Sequence, residues 1–149
     1  MGSSDISGWE VTQVGVVVKN VKQVVERLES LGIGPFQEMK LPPDRKELFR
    51  GKPALADAKI MTVPLGGIQL ELVQTLATES PHLEFLKSKG EGIQHIMVMV
   101  DDIEKEIKRL TDKGCTLLLD IHMPDGTHGA YIDLNAGGII VEMFQKGSI

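Results

Sequence analysis

A single cysteine, Cys115, stands in 149 residues. That excludes an internal disulfide framework and suits a cytoplasmic protein. No apolar run approaches the ~18 residues that a membrane-spanning helix needs, and the first residues lack a signal-peptide core. Blocks of like charge are also missing. The longest mixed run, Asp101 to Arg109, alternates in sign and reads as the wet face of a helix. There is no basic stripe and the formal net charge is −5, which argues against a nucleic-acid partner. The composition itself is ordinary for a soluble globular chain, 42% hydrophobic and 25% charged. Met1–Gly8 is small and polar, so residues 1–9 are assigned to a frayed tail and 10–145 to a single domain.

Within 10–145 the residues alternate between strand and helix signals. Val11–Val18 is rich in β-branched residues and reads as a strand. Asn20 caps a helix whose apolar positions, Val21, Val24, Val25, Leu28 and Leu31, have helical spacing, and Gly32 ends it. Phe36–Met39 is a short strand candidate, and Lys40–Ala56, polar and carrying three prolines, reads as a long loop. Ala58–Val63 and Ile68–Gln74 form a hairpin across Pro64-Leu65-Gly66-Gly67. Ser80-Pro81 opens a helix that runs to Gly90 and connects to the second half of the chain. There the pattern recurs: strand Ile93–Val100, a helix from Ile103 to Gly114, strand Thr116–Asp120, a loop at His122–Thr127, and a closing hairpin of Gly129–Leu134 with Ile139–Phe144.

The recurrence is visible residue by residue. Residues 11–33 align without gaps on 93–115 at an offset of 82, matching Val16 with Val98, Leu28 with Leu110 and Gly32 with Gly114. Residues 66–74 align on 137–145 at an offset of 71, matching Gly67 with Gly138, Glu71 with Glu142 and Gln74 with Gln145. The two offsets differ by 11 residues, which places an insertion in Lys40–Ala56. Each module therefore reads βαβββ: module one 10–76, a connecting helix 80–90, module two 91–145.

Four polar positions stand out against this repeat. Gln13 and His95 correspond on the opening strands, and Glu71 and Glu142 on the closing ones. Alternate side chains of a strand share a face. Gln13 thus goes with Gly15 and Val17, His95 with Met97 and Met99, Glu71 with Gln69 and Val73, and Glu142 with Ile140 and Phe144. A carboxylate among such neighbours must meet a cation or stay protonated, since burying it unpaired costs several kcal/mol. One nitrogen and three oxygens converging would suit a divalent ion such as Zn, Ni, Co, Mn or Mg.

The paired modules resemble the vicinal oxygen chelate superfamily, which includes glyoxalase I and methylmalonyl-CoA epimerase. The most specific segments are Gly90-Glu91-Gly92-Ile93-Gln94-His95-Ile96 with Asp101-Asp102-Ile103, and Leu70-Glu71-Leu72-Val73-Gln74; the likeness extends from Val11 to Gln145. It implies an α+β fold in which the modules curl a mixed sheet into an open cup with helices outside. It further implies a divalent metal ion held inside by Gln13, Glu71, His95 and Glu142. Glu142 or Glu71 would then serve as the catalytic base for a small carbonyl or acyl-thioester substrate, in a metal-dependent isomerase, epimerase or lyase working through an enolate. Glyoxalase I carries a Thr-His-Asn run and an arginine for glutathione where this chain has Val73-Gln74-Thr75 and Val17, so glutathione is not expected. The epimerase's glutamate base falls near Ala54, Leu55 and Ala56, with Asp57 just beyond.

Val17, Met97, Met99 and Phe144 would form an apolar substrate wall, with His128 and Tyr131 as further substrate contacts and Arg45, Lys46 and Arg50 as candidate anion anchors. His82 is assigned to the surface and Cys115 to the core. The alternative is a non-catalytic, sequestering protein of the same fold. A homodimer is expected from long unpaired strand edges and from the family's habit of pairing modules.

Overall fold

A computed structural model describes residues 9–147. The elements run β1 (Glu10–Val17), α1 (Val21–Ser30), β2 (Gln37–Met39), β3 (Lys46–Phe49), β4 (Lys52–Pro53), β5 (Ala58–Leu65), β6 (Ile68–Thr75), α2 (Pro81–Lys89), β7 (Gly92–Met99), α3 (Ile103–Asp112), β8 (Thr116–His122), β9 (His128–Asp133) and β10 (Ile140–Gln145). All ten strands belong to one mixed, open sheet, ordered β2-β5-β6-β1-β7-β10-β9-β8-β3-β4. The repeat is legible in that order. β2-β5-β6-β1 is mirrored by β8-β9-β10-β7, and the halves meet where β1 pairs antiparallel with β7. Met1–Gly8 lies outside the described residues, whereas Trp9, assigned to the tail, packs on the core of the second half with Arg109 over its ring.

Both outer helices form for the same reasons. Asn20 and Asp102 cap them, their side chains accepting from the backbone N–H of Gln23 and Lys105. The apolar stripe of α1 covers Val18 and Leu72, and that of α3 covers Val98, Ile132, Val141 and Met143. A second cap comes from the sheet. The first-turn N–H of Val21 donates to Gln74 Oε1 (2.9 Å), and that of Ile103 donates to Gln145 Oε1 (2.8 Å). These N–H groups have no partner within their own helix, so the matched glutamines tie each helix to the closing strand of its module.

The Lys40–Ala56 segment is not a plain loop. β3 and β4 form a hairpin within it, and β3 joins β8 on the far side of the sheet from β2. Alternation in Lys46–Phe49, with Glu47 and Phe49 buried and Lys46 and Leu48 exposed, is the pattern of a strand with one face covered. Its brevity and the surrounding prolines conceal that pattern in the sequence. The connection from Lys40 to Arg45 therefore passes from one end of the sheet to the other, and Lys40, Leu41 and Pro42 border the cavity beneath. Arg45 fastens it. The buried guanidinium donates to Glu47 Oε2 (2.5 Å), Asp57 Oδ1 (2.8 Å) and the carbonyl of Pro42 (3.0 Å), while Glu47 Oε1 accepts from Ala56 N–H (2.7 Å). The sheet ends in β2 and β4, three and two residues long, so the long unpaired edges from which a dimer was expected are not present among the described residues. No helix among the described residues is long and apolar enough to cross a membrane.

Replacing Gln145 or Gln74 by alanine should cost about 1 kcal/mol each, the usual worth of one hydrogen bond. In a domain of this size that lowers the thermal midpoint by ~2–4 °C. Calorimetry on the two single variants and the double variant checks it, with additive losses expected because the glutamines cap different helices.

Candidate metal centre

The inner face of the cup converges on one imidazole. His95 is 2% exposed, and its Nε2 lies 3.3 Å from Gln13 Oε1, 3.4 Å from Glu71 Oε1 and 3.1 Å from Glu142 Oε1. The four side chains come from β1, β6, β7 and β10, adjacent strands at the centre of the sheet. Local features aim them. The β1–β7 ladder shifts register between Val11 and Gln13 and again between Gly15 and Val16, leaving Thr12 and Gln94 as unmatched residues. These two are related by the same offset of 82 as Gln13 and His95, so each module carries a bulge immediately before its ligand position. The bulge on β7 places Gln94 beside the neighbouring ring, where its Oε1 lies 2.9 Å from His95 Nδ1. On β1, Gln13 Nε2 donates to Gln69 Oε1 (2.8 Å), which leaves the Gln13 oxygen facing His95. Gly15 pairs directly with His95, and a methyl group on it would overlap the ring.

With Nδ1–H donating to Gln94, a neutral His95 would point the Nε2 lone pair at three acceptor oxygens. That arrangement repels unless a positive charge sits among them. Without a metal the charge is a proton: burial pulls the His95 pKa down, but the hydrogen bond to Glu142 and the negative charge of Glu142 and Glu71 outweigh it and raise it to about 9. Even then one proton cannot serve all three oxygens, and Glu71 Oε1 is buried with no hydrogen-bond partner. A divalent ion resolves both problems at once. The ligand atoms of Glu71, His95 and Glu142 lie within 4.8 Å of one another, and Gln13 adds a neutral oxygen. The residues present fit a divalent cation of borderline or hard character.

A cavity of about 350 Å³ opens over this centre, bordered by Gln13, Glu71 and Glu142 and walled mainly by apolar side chains. Met97, Phe144 and Tyr131 border it; Val17, Met99 and His128 do not. Val17 is fully buried. Met99 lines a separate surface groove with Glu10 and Asp101, because it sits at the end of β7, past the cup. His128 alternates with Gly129 and Tyr131, which face inward, so it points to the outer side of β9. Arg45 is consumed in the strap, Arg50 pairs with Glu84 on the surface, and Lys46 faces outward opposite His122.

The structure adds residues that periodicity does not single out. His82, expected at the surface, is 5% exposed and borders the cavity. Its Nε2 lies 3.2 Å from the Tyr131 hydroxyl, and the rings of His82, Tyr131 and His95 meet edge to face. Burial pushes the His82 pKa down to about 4, and the charge on His95 assists, so the ring is neutral at pH 7. Burial also holds the Tyr131 phenol well above its usual value, with Glu142 and Glu71 adding to the effect, so it keeps its proton. Position two of a short helix gives no sequence signal for His82. Glu47 borders the cavity too, but both its oxygens are engaged by Arg45 and Ala56, which makes it an anchor for the strap.

Known proteins share this architecture. Residues 12–132 match the family model of the Glyoxalase/Bleomycin resistance protein/Dioxygenase superfamily, and the chain belongs to that superfamily. Bovine mitochondrial methylmalonyl-CoA epimerase is 31% identical over 91 residues, 58% of this chain and 51% of that protein. The chain spans about half the length of the curated relatives it matches. Among solved structures, hypothetical protein BH1468 from Bacillus halodurans C-125 superposes with a TM-score of 0.69 at 24% identity, covering 96% of this chain and 98% of that one. Methylmalonyl-CoA epimerase from Mycobacterium tuberculosis gives 0.63 at 23% identity, covering 92% and 87%. These last two likenesses establish the fold.

The charge balance at the centre can be tested without a metal. In chelator-stripped protein, the His95 proton stabilises the fold fully below pH 6.5, and that contribution is lost as pH rises through about 9. Urea midpoints should therefore fall over that window in wild type and flatten in His95→Gln. Gly15→Ala should displace the imidazole, weakening divalent-metal binding at least tenfold, while overpacking costs ~1–3 kcal/mol of stability. Titration calorimetry and thermal melts read the two effects separately; unchanged metal affinity would refute the role given to Gly15.

Proposed function

We propose that this chain is a metal-dependent isomerase or epimerase, or a lyase of the same chemistry, acting on a small carbonyl or acyl-thioester compound by moving a proton next to the carbonyl. The observation that carries the reading is the buried set Gln13, Glu71, His95 and Glu142 opening onto an apolar cavity. These four residues would hold a divalent ion, which when bound would act as a Lewis acid toward a substrate oxygen and favour the enolate form. The chain's own groups do the rest. Gln69 and Gln94 orient Gln13 and His95, so the donor set is organised before substrate arrives. Glu142, at the cavity wall, takes the proton from the carbon beside the carbonyl and returns it. Tyr131, its cross-strand neighbour, keeps its hydroxyl proton and with neutral His82 presents polar groups beside that carboxylate. The apolar walls under the strap keep bulk water from the carbanion-like substrate.

The resemblance to methylmalonyl-CoA epimerases supports an acyl-thioester as substrate, and the cavity's apolar lining supports a short hydrophobic acyl body. Protein reconstituted with Mn, Co, Ni or Zn is expected to exchange deuterium from solvent into the position next to the carbonyl of at least one member of a panel of acyl-CoAs and 2-oxo acids. Chelator should abolish the exchange, and Glu142→Gln should slow it by ~10²–10⁴-fold, the usual contribution of a general base. Binding of panel members with no exchange under any metal would favour a sequestering protein instead.

A further inference from the structure

A second cluster of metal-ligating side chains lies on the opposite face of the sheet. On β8, Leu119 and Ile121 border the cavity, so Asp120 and His122 point outward; on β9, Gly129 and Tyr131 border it, so His128 points outward as well. His122 and His128 are direct cross-strand partners in the hairpin, whose turn is closed by Met123 N–H donating to the carbonyl of Thr127. Their rings stack with centroids 4.1 Å apart and planes 27° from parallel. Both Nε2 atoms converge on one carboxylate oxygen, Asp120 Oδ1, at 2.5 Å for His128 and 3.5 Å for His122. The His128 side chain is 11% exposed and that of Asp120 20%, while His122 is 51% exposed, so the cluster is walled on one side and open to solvent on the other.

We propose that Asp120, His122 and His128 bind a second divalent ion of the zinc, nickel or copper type. Hydrogen bonding alone explains one histidine on Asp120 but not the other. Oδ1 accepts a short bond from His128, and the second ring, at 3.5 Å, gains little from the same oxygen while losing freedom in the stack. A shared cation gives both nitrogens and the carboxylate a common partner. Their ligand atoms lie within 4.8 Å of one another, against ~3.3 Å between neighbouring ligands in a tetrahedral zinc site, so small side-chain rotations suffice. Two imidazoles and one carboxylate also differ from the oxygen-rich inner set, so the outer position favours softer ions. Lys46 lies across the strand from His122, and its charge opposes a cation; being exposed on a flexible stem, it can turn to solvent. The site needs nothing from the inner centre. Binding there would clamp the β8–β9 hairpin, whose inner face supplies Leu119, Ile121 and Tyr131 to the cavity.

Zinc(II) alone is the probe. In chelator-stripped wild-type protein, zinc should shift the ring resonances of both His122 and His128 in nitrogen-15 histidine spectra. Equilibrium dialysis should show one equivalent that disappears in His122→Ala, weakens at least tenfold in Asp120→Asn, and persists in the inner-site variant Glu71→Gln. Because His122 is largely exposed, its replacement leaves the fold in place, and the wild-type spectra require no variant at all. Ring resonances that stay unmoved while zinc binds elsewhere, or a stoichiometry unaffected by His122→Ala, would overturn the proposal.

Discussion

Everything at the centre of this protein turns on the surroundings of one imidazole nitrogen. His95 Nε2 faces three oxygens within 3.4 Å in a place from which water is largely excluded, and its other nitrogen is already committed to Gln94. Such a cluster is repulsive unless a cation occupies it, and the rest of the sheet is built to prevent its relaxation. Gly15 leaves the space that the ring needs, Gln69 stops the Gln13 amide from offering its NH₂ group, and paired bulges turn the ligand residues inward. A proton on His95 balances part of the charge; only a divalent ion also satisfies the orphaned oxygen of Glu71.

The two-fold design explains why the site sits at the β1–β7 seam. Each module contributes one residue from its opening strand and one glutamate from its closing strand, and each closing strand also caps its own helix with a glutamine three residues beyond the glutamate. Site and helix anchor thus share a strand. The modules differ around the cavity: Gln13 against His95 at the centre, and the strap from Lys40 to Arg45 across the mouth. The buried Arg45–Glu47 pair, with exposed Asp57 as a further partner of the guanidinium, holds that strap, and removing Arg45 or Glu47 would leave a buried charge stranded.

Most of the architecture is legible in the sequence because the sequence repeats. Internal offsets of 82 and 71 locate both helices, the hairpins and the four convergent polar residues. The features that stay hidden have local signals too weak to read. β3 is four residues long among prolines and owes its existence to β8, a partner some 70 residues away. His82 follows an N1 proline on a helix with no marked apolar face, so nothing local announces its burial against Tyr131. His128 belongs to the cup only if its loop closes the mouth; strand alternation sends it to the other face. Gly15 looks like one small residue in a strand, and its meaning comes only from the ring opposite.

Membership of the Glyoxalase/Bleomycin resistance protein/Dioxygenase superfamily accounts for the fold, and bovine methylmalonyl-CoA epimerase matches this chain over about half its own length. The donor set around His95 fits a cation before any substrate is considered. Anomalous diffraction at the metal absorption edge, on crystals of chelator-stripped protein soaked in cobalt(II) or zinc(II), tests it directly. The expected result is a peak enclosed by Gln13, Glu71, His95 and Glu142, with Gln94 still on His95 Nδ1. Well-ordered crystals with no peak there, and His95 hydrogen-bonded to Glu142 as an imidazolium, would contradict it.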